Sequence, residues 1–135
     1  MTLMDKMETQ IKTILIMEDD PYQSRLMQRL LERSDYRILV ESDGESGLRA
    51  AMMVQPDLIL LDMGLPDLDG QTVAGLLKAS DTLSKIPVVV VTAWPQDTAA
   101  AIAEAYGCDG YISKPVHARE FAAQVASFLK EKPAS

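Results

Sequence analysis

Pro56-Asp57-Leu58-Ile59-Leu60-Leu61-Asp62-Met63-Gly64-Leu65-Pro66 is the stretch that decides how this chain folds. Its centre, Leu58 to Leu61, is a short apolar run held between turn signals, Pro56-Asp57 before it and Gly64 and Pro66 after it. A run of this kind without alternation reads as a strand buried on both faces of a sheet. Asp62 then stands at the strand's carboxyl end, on the rim where open α/β sheets place their ligands. The pattern recurs on either side. Ile14-Leu15-Ile16-Met17 runs into Glu18-Asp19-Asp20, and Val88-Val89-Val90-Val91 runs into Thr92. Three strand ends therefore offer acids and a hydroxyl to one crevice.

Working outward, a first strand is read over 12–17 and a helix from Pro21 with Asp20 as its N-cap. Proline suits the first helical position, and an Asp carboxylate accepts the free N–H groups there. Tyr22, Leu26, Met27, Leu30 and Leu31 recur at helical spacing and are assigned to one face. Arg37-Ile38-Leu39-Val40 is a second strand, more polar and so near an edge. A second helix over 44–54 turns Leu48, Ala51 and Met52 inward, and a third carries Val73, Leu76 and Leu77. The strand over 86–91 has Pro87 at its start, where a missing N–H is tolerated. An Ala-rich helix around 99–103 closes at Gly107. A short strand at Tyr111-Ile112 leads through Lys114-Pro115 to a last helix with Phe121, Val125, Phe128 and Leu129 inward. Strands alternating with helices predict a parallel sheet covered on both faces through right-handed crossovers. The domain is drawn over 11–131, between tails at 1–10 and 132–135.

With 135 residues the chain is one domain with a sizeable core. Apolar residues make up 47% and aromatics 5%, so that core is aliphatic and Met-rich. A net charge of −7 lacks the basic footprint of a nucleic-acid binder. Part of the acid surplus is local if Glu18, Asp19, Asp20 and Asp62 crowd one rim. Cys108 is the only cysteine, which rules out an intramolecular disulfide, and it reads as a small buried residue. His117 stands alone, cannot build a multi-histidine metal site, and reads as surface. Met1 to Lys6 lacks the apolar core of a signal peptide. No apolar run approaches the ~20 residues of a membrane helix, so a cytoplasmic protein is expected.

Taken in order, Glu18-Asp19 after the first strand, Asp62 after the third, Thr92-Ala93 after the fourth and Lys114-Pro115 after the fifth resemble the receiver domain of bacterial two-component response regulators. The resemblance runs from about Lys12 to Lys130. It implies a flavodoxin-like (βα)5 fold with strand order 2-1-3-4-5, often with a cis bond before the proline that matches Pro115. Residues Glu131 to Ser135 leave no room for an output domain, so a stand-alone regulator is expected.

By this resemblance, Asp62 accepts a phosphoryl group from a phosphohistidine of a sensor histidine kinase or a histidine phosphotransfer protein. A carboxylate is a competent covalent acceptor, but two anions must meet. A hard divalent cation is therefore implied, Mg²⁺ with Mn²⁺ as a substitute. Glu18 and Asp19 would hold it together with Asp62 and the carbonyl of Gly64. Lys114 would set positive charge against the phosphoryl oxygens. Thr92 would donate its hydroxyl, and Tyr111 would turn inward in response. The face made by the fourth helix, fifth strand and fifth helix is the implied surface for an unknown downstream protein. The protein would be a switch that assists its own phosphorylation and dephosphorylation, not an enzyme acting on a separate substrate.

Plainer roles stand beside these. Asp20 is explained by capping, and Asp67 and Asp69 by turn and cap geometry before Gly70. Tyr111 alone would be an amphipathic strand tyrosine. Trp94, two residues after Thr92, departs from the small or acidic residue the resemblance implies. A partial cover over the site and an exposed anchor for a partner are both open. Other functions fit less well. A phosphatase of the haloacid dehalogenase type wants a second acid two positions after its aspartate, where this chain has Gly64. A flavin or nucleotide binder wants a phosphate loop after the first strand, where Glu18-Asp19-Asp20 would repel phosphate. A fold kept only for docking ranks below a working switch, because nothing essential to the constellation is missing.

Overall fold

A computed structural model describes residues 11–32 and 35–129 of the chain. The expected tails at 1–10 and 132–135, and the domain edge at 131, lie outside the described residues. Strand and helix alternate throughout: β1 (Lys12–Met17), α1 (Pro21–Leu31), β2 (Tyr36–Glu41), α2 (Gly44–Val54), β3 (Leu58–Asp62), α3 (Gly70–Ala79), β4 (Val88–Thr92), α4 (Gln96–Ala105), β5 (Gly110–Ser113) and α5 (Phe121–Phe128). The pairs are all parallel and the sheet order is β2-β1-β3-β4-β5. The more polar β2 is at an edge, as its composition predicts.

Two cores, one on each face of the sheet, explain why the apolar runs do not alternate. The pleat sends Ile14, Ile16, Leu58, Leu60, Val89, Val91 and Ile112 to one side, where they meet Met27 and Leu31 of α1 and Phe121 and Val125 of α5. Leu15, Met17, Ile59, Leu61 and Val88 go to the other and meet Ala51 of α2 and Val73, Ala74 and Leu77 of α3.

Local signals start and stop the helices. Asp20 caps α1 by accepting the N–H of Tyr22 at 2.9 Å, with Pro21 in the first turn. Gly107, at φ 72°, ends α4: its N–H bonds Glu104 O at 3.2 Å and the N–H of Cys108 bonds Ala103 O at 2.8 Å. β4 begins at Val88, two residues later than read, with Pro87 ahead of it.

Two acids close the amino end of the sheet. Asp57 accepts the N–H of Thr13 at 2.7 Å and donates its own N–H to Thr13 O at 2.8 Å. Asp109 makes the same pair of contacts with Val88, at 2.9 and 2.8 Å.

Three side chains assigned to inward faces point outward. Tyr22, Met52 and Leu76 are 73%, 49% and 50% exposed. At about 100° per residue, each stands well around the helix from the buried stripe. Those stripes run through Ser24, Met27 and Leu31 in α1, Gly44, Gly47 and Ala51 in α2, and Gly70, Val73, Ala74 and Leu77 in α3. Small residues form much of the α2 and α3 contact, so these helices lie close to the sheet and their flanking large residues are left outside.

Candidate functional site

β1 and β3 are neighbours at the point where the strand order reverses, and an α/β sheet opens its ligand crevice there. Register then sets which residues meet. Met17 pairs with Leu61, so Glu18 comes level with Asp62. Asp62 pairs with Val91, and Thr92 with Ser113, which leaves Lys114 one step above the sheet. Glu18, Asp62 and Lys114 each stand two residues beyond a side chain of the α1/α5 core, namely Ile16, Leu60 and Ile112. The pleat therefore turns all three the same way.

Lys114 joins the two carboxylates. Its Nζ is 2.6 Å from Glu18 Oε1 and donates a hydrogen bond to Asp62 Oδ1 at 3.1 Å. Its backbone N–H bonds Thr92 O at 2.8 Å, and the Lys114–Pro115 peptide is cis. Glu18 is buried, with Oε2 accepting the N–H of Asp20 at 3.3 Å. Asp62 is half-buried at the rim, and Asp19 and Gly64 are exposed beside it. Thr92 is buried, and its Oγ1 accepts the N–H of Trp94 at 3.1 Å, which leaves the hydroxyl proton available to donate. Trp94 is exposed on the rim and Tyr111 is half-buried on β5. Asp20 faces away into its helix cap.

Burial raises the Glu18 carboxyl from its ordinary value to about 7; the Asp62 charge adds to the rise and Lys114 opposes it. Burial alone would lower Lys114, but the closely approaching Glu18 carboxylate and the Asp62 charge outweigh that and raise it. The short Lys114–Glu18 approach is a charge pair at an angle outside a hydrogen bond, so Glu18 Oε1 is buried with no directed donor. Carboxylate oxygens of Glu18, Asp19 and Asp62 lie within 4.8 Å of one another. Three carboxylates converging this closely, one of them with a buried oxygen that no hydrogen bond satisfies, are a hard oxygen donor set that fits a divalent cation.

A pH dependence follows. The folded-state pKa of Glu18 lies above its unfolded value of 4.5, so the stability it contributes is complete below that value and lost as pH rises through about 7. With a chelator present, unfolding free energy should fall by a few kcal/mol between pH 5 and pH 8, at about 1.4 kcal/mol per pKa unit. Urea unfolding across this range measures it. A Glu18→Gln variant should be nearly flat over the same interval, and an equal fall in that variant would remove Glu18 as the cause.

Residues 14–126 match the family model of the response regulator receiver domain. The chain belongs to that family. This receiver is 36% identical over 118 residues to the polar-differentiation response regulator DivK of Brucella anthropi, a match covering 87% of the chain and 96% of DivK. A response regulator structure from Chloroflexus aurantiacus shares the fold with a TM-score of 0.84 at 24% identity, over 89% of this chain and 98% of that one. The Mn(2+)-bound form of response regulator Rcp1 has a TM-score of 0.72 at 29% identity, over 86% and 90% of the two chains. As a receiver the protein works in two-component signalling, through phosphorylation and through contacts with kinases or phosphotransfer proteins and with downstream targets. No helix among the described residues is long and apolar enough to cross a membrane.

One contact near the site has no local signal in the sequence. Asp67, read as a turn residue, accepts N–H groups of Gly44 and Glu45, 23 and 22 positions away.

Proposed function

We propose that the protein is a phosphoacceptor switch in which Asp62 takes a phosphoryl group from a phosphohistidine of a sensor histidine kinase or histidine phosphotransfer protein. The observation that carries this reading is Lys114 Nζ held between Glu18 and Asp62 at the carboxyl end of a parallel sheet. Lys114 holds Oδ1, so the other oxygen, Oδ2, is the one that attacks phosphorus. A P–O bond forms as the P–N bond breaks, and the imidazole nitrogen keeps the electron pair and takes up a proton. The Lys114 ammonium offsets charge on the transferring oxygens, which is the main help such a reaction needs. Thr92 donates its hydroxyl to the phosphoryl group, and Tyr111 responds from β5.

Glu18, Asp19, Asp62 and the Gly64 carbonyl would hold Mg²⁺, or Mn²⁺ in its place, and the bound ion supplies the charge that lets phosphate approach carboxylate. The convergence of the Glu18, Asp19 and Asp62 carboxylate oxygens supports that assignment, as does the Mn(2+)-bound form of the similar Rcp1. The α4–β5–α5 face is the output surface. Exposed Ala100 and Ala101 make it shallow, and Tyr106, 41% exposed, stands at its edge. On this reading the chain is a cytoplasmic signalling protein rather than an enzyme acting on a separate substrate. It acts by phosphorylation-dependent protein contact or by passing the phosphoryl group on in a relay.

Incubation with acetyl phosphate and Mg²⁺, followed by intact mass and peptide mapping, tests the reading. One added phosphoryl group on the peptide containing Asp62 is expected. Millimolar Mg²⁺ alone should also raise the melting temperature, because it binds only the assembled site; saturation to 100 times its dissociation constant is worth about 2.7 kcal/mol. No mass gain in a folded protein would favour a docking module and make Trp94 the first residue to suspect of blocking the site.

A further inference from the structure

We propose that Asp67 is a positioning residue for phosphoryl transfer: its carboxylate ties the β3–α3 loop, which carries Gly64, to the amino end of α2. The proposal rests on the reading of Asp62 as phosphoacceptor. It starts from the donors of α2. The first N–H groups of any helix have no partner within it. Here Asp43 serves two of them, accepting from Ser46 through Oδ1 at 2.7 Å and from Gly47 through its carbonyl at 3.0 Å. Gly44 and Glu45 remain, and both turn to Asp67, at 2.7 Å to Oδ1 and 2.9 Å to Oδ2. Oδ1 also accepts the N–H of Leu68 at 2.9 Å.

These contacts face the positive end of the α2 dipole, a favourable place for a carboxylate. The backbone N–H groups, Gly44 first, hold the Asp67 carboxyl below its ordinary value. Asp67 is not needed to start its own helix, because Asp69 caps α3 through the N–H of Thr72 at 2.7 Å. Its work is across the chain.

Steric fit repeats the same tie. A Cβ on Gly44 would stand 3.1 Å from Leu68 Cβ and 3.2 Å from Asp67 Oδ1, so the loop lies directly on the helix start. At the far end, the N–H of Gly70 bonds Met63 O at 3.1 Å, and a Cβ there would meet Met63 Cα at 2.7 Å. The span from Met63 to Gly70 is thus closed on itself and anchored to α2 at Asp67. Gly64 lies within it, beside Asp62 Oδ2, which a Cβ at 64 would approach to 3.9 Å. Where the Gly64 carbonyl stands therefore depends on the Asp67 tie, although Asp67 touches no reacting atom.

Mg²⁺ titrations followed by the fluorescence of Trp94, with phosphorylation by acetyl phosphate measured across the same concentrations, test this. Asp67→Ala should raise the Mg²⁺ midpoint roughly 10-fold, as loss of a group that orients a metal ligand does. Its rate at saturating Mg²⁺ should stay close to wild type. Asp67→Asn, which keeps an oxygen for Gly44 and Leu68, should recover part of the shift. Gly44→Ala leaves the carboxylate intact but presses on the loop, and should move the midpoint in the same direction. The double variant should shift it by less than the product of the two single effects, because both loosen one contact. A lowered melting temperature with an unchanged midpoint in Asp67→Ala and Gly44→Ala would overturn the proposal. Should Asp67→Ala not fold, Asp67→Asn and Gly44→Ala decide it. A wild-type protein that binds Mg²⁺ but takes no phosphoryl group would refute the phosphoacceptor reading, while the midpoints would still judge the tie itself.

Discussion

Asp62→Asn is expected to abolish phosphoryl uptake and to make the chelator-treated protein more stable at pH 8. Both effects come from one removed charge. The amide cannot act as the nucleophile, so no acyl phosphate forms. The Asp62 charge is also one of the causes that raise Glu18, so its loss lets the Glu18 pKa fall back from about 7. Less stability is then lost as pH rises, by roughly 1 kcal/mol if repulsion equal to about one pKa unit is relieved. Lys114 keeps Glu18 as its partner at 2.6 Å, so the remaining pair is balanced. Intact mass after acetyl phosphate treatment reads the first effect, and thermal unfolding with a chelator reads the second. Uptake at the wild-type level would move the acceptor to another residue. A clear loss of stability would show that Asp62 is attracted by Lys114 more than it is repelled by Glu18.

Lys114→Met is expected to cost stability and phosphoryl transfer together. The variant keeps the aliphatic length but leaves Glu18, 2% exposed, and Asp62 facing each other with no counter-charge. Removing one partner of a buried pair costs about 3–5 kcal/mol when the other stays ionised. Glu18 escapes part of that cost by protonating, so its pKa rises beyond the wild-type value of about 7. The sign follows from linkage. A carboxyl whose folded pKa is raised stabilises below its unfolded value and loses that contribution as pH climbs. The gap between wild type and variant should therefore be small at pH 5 and widen toward pH 8. Lys114 itself, raised above 10.5, adds no slope in that window, because its own contribution is lost only in alkali. Urea unfolding at several pH values measures the gap, and a constant gap would end the ion-pair account. Phosphorylation by acetyl phosphate should slow by about 10²–10³, the cost of losing one fixed group at developing charge.

Much of this was legible in the residues themselves. The apolar runs ending in Glu18, Asp62 and Thr92 identified three central strands because burial on both faces suppresses alternation. Asp20-Pro21 and Gly107 announced helix ends because capping is a local matter of free N–H and C=O groups. The strand-end residues also carried the family resemblance, since each stands at a strand's carboxyl end, where an α/β sheet opens its crevice. Spacing was weaker on which way a helix faces: Tyr22 stands nearly opposite the buried stripe of α1, and Met52 and Leu76 stand about 110° round from the centres of theirs, so all three are left in water.

Other features had no local signal at all. Leu65, Leu83 and Val116 join the core from loops, where no period marks an inward side. Glu18 looks like its neighbour Asp19 in sequence, yet one is buried and the other exposed, because only the packed sheet end withdraws a particular carboxylate from water. Its raised pKa and its partnership with Lys114 are consequences of that desolvation. Asp67 finds its donors in a helix that precedes it by more than twenty residues. By itself the sequence determined the strands, the caps and which acids, hydroxyl and lysine stand at the strand ends, all of which depend on near neighbours. The tertiary structure decided which carboxylate is buried, which charges touch and which loop is tied to which helix, because desolvation, Coulomb attraction and hydrogen bonding act through space between residues that the chain keeps far apart.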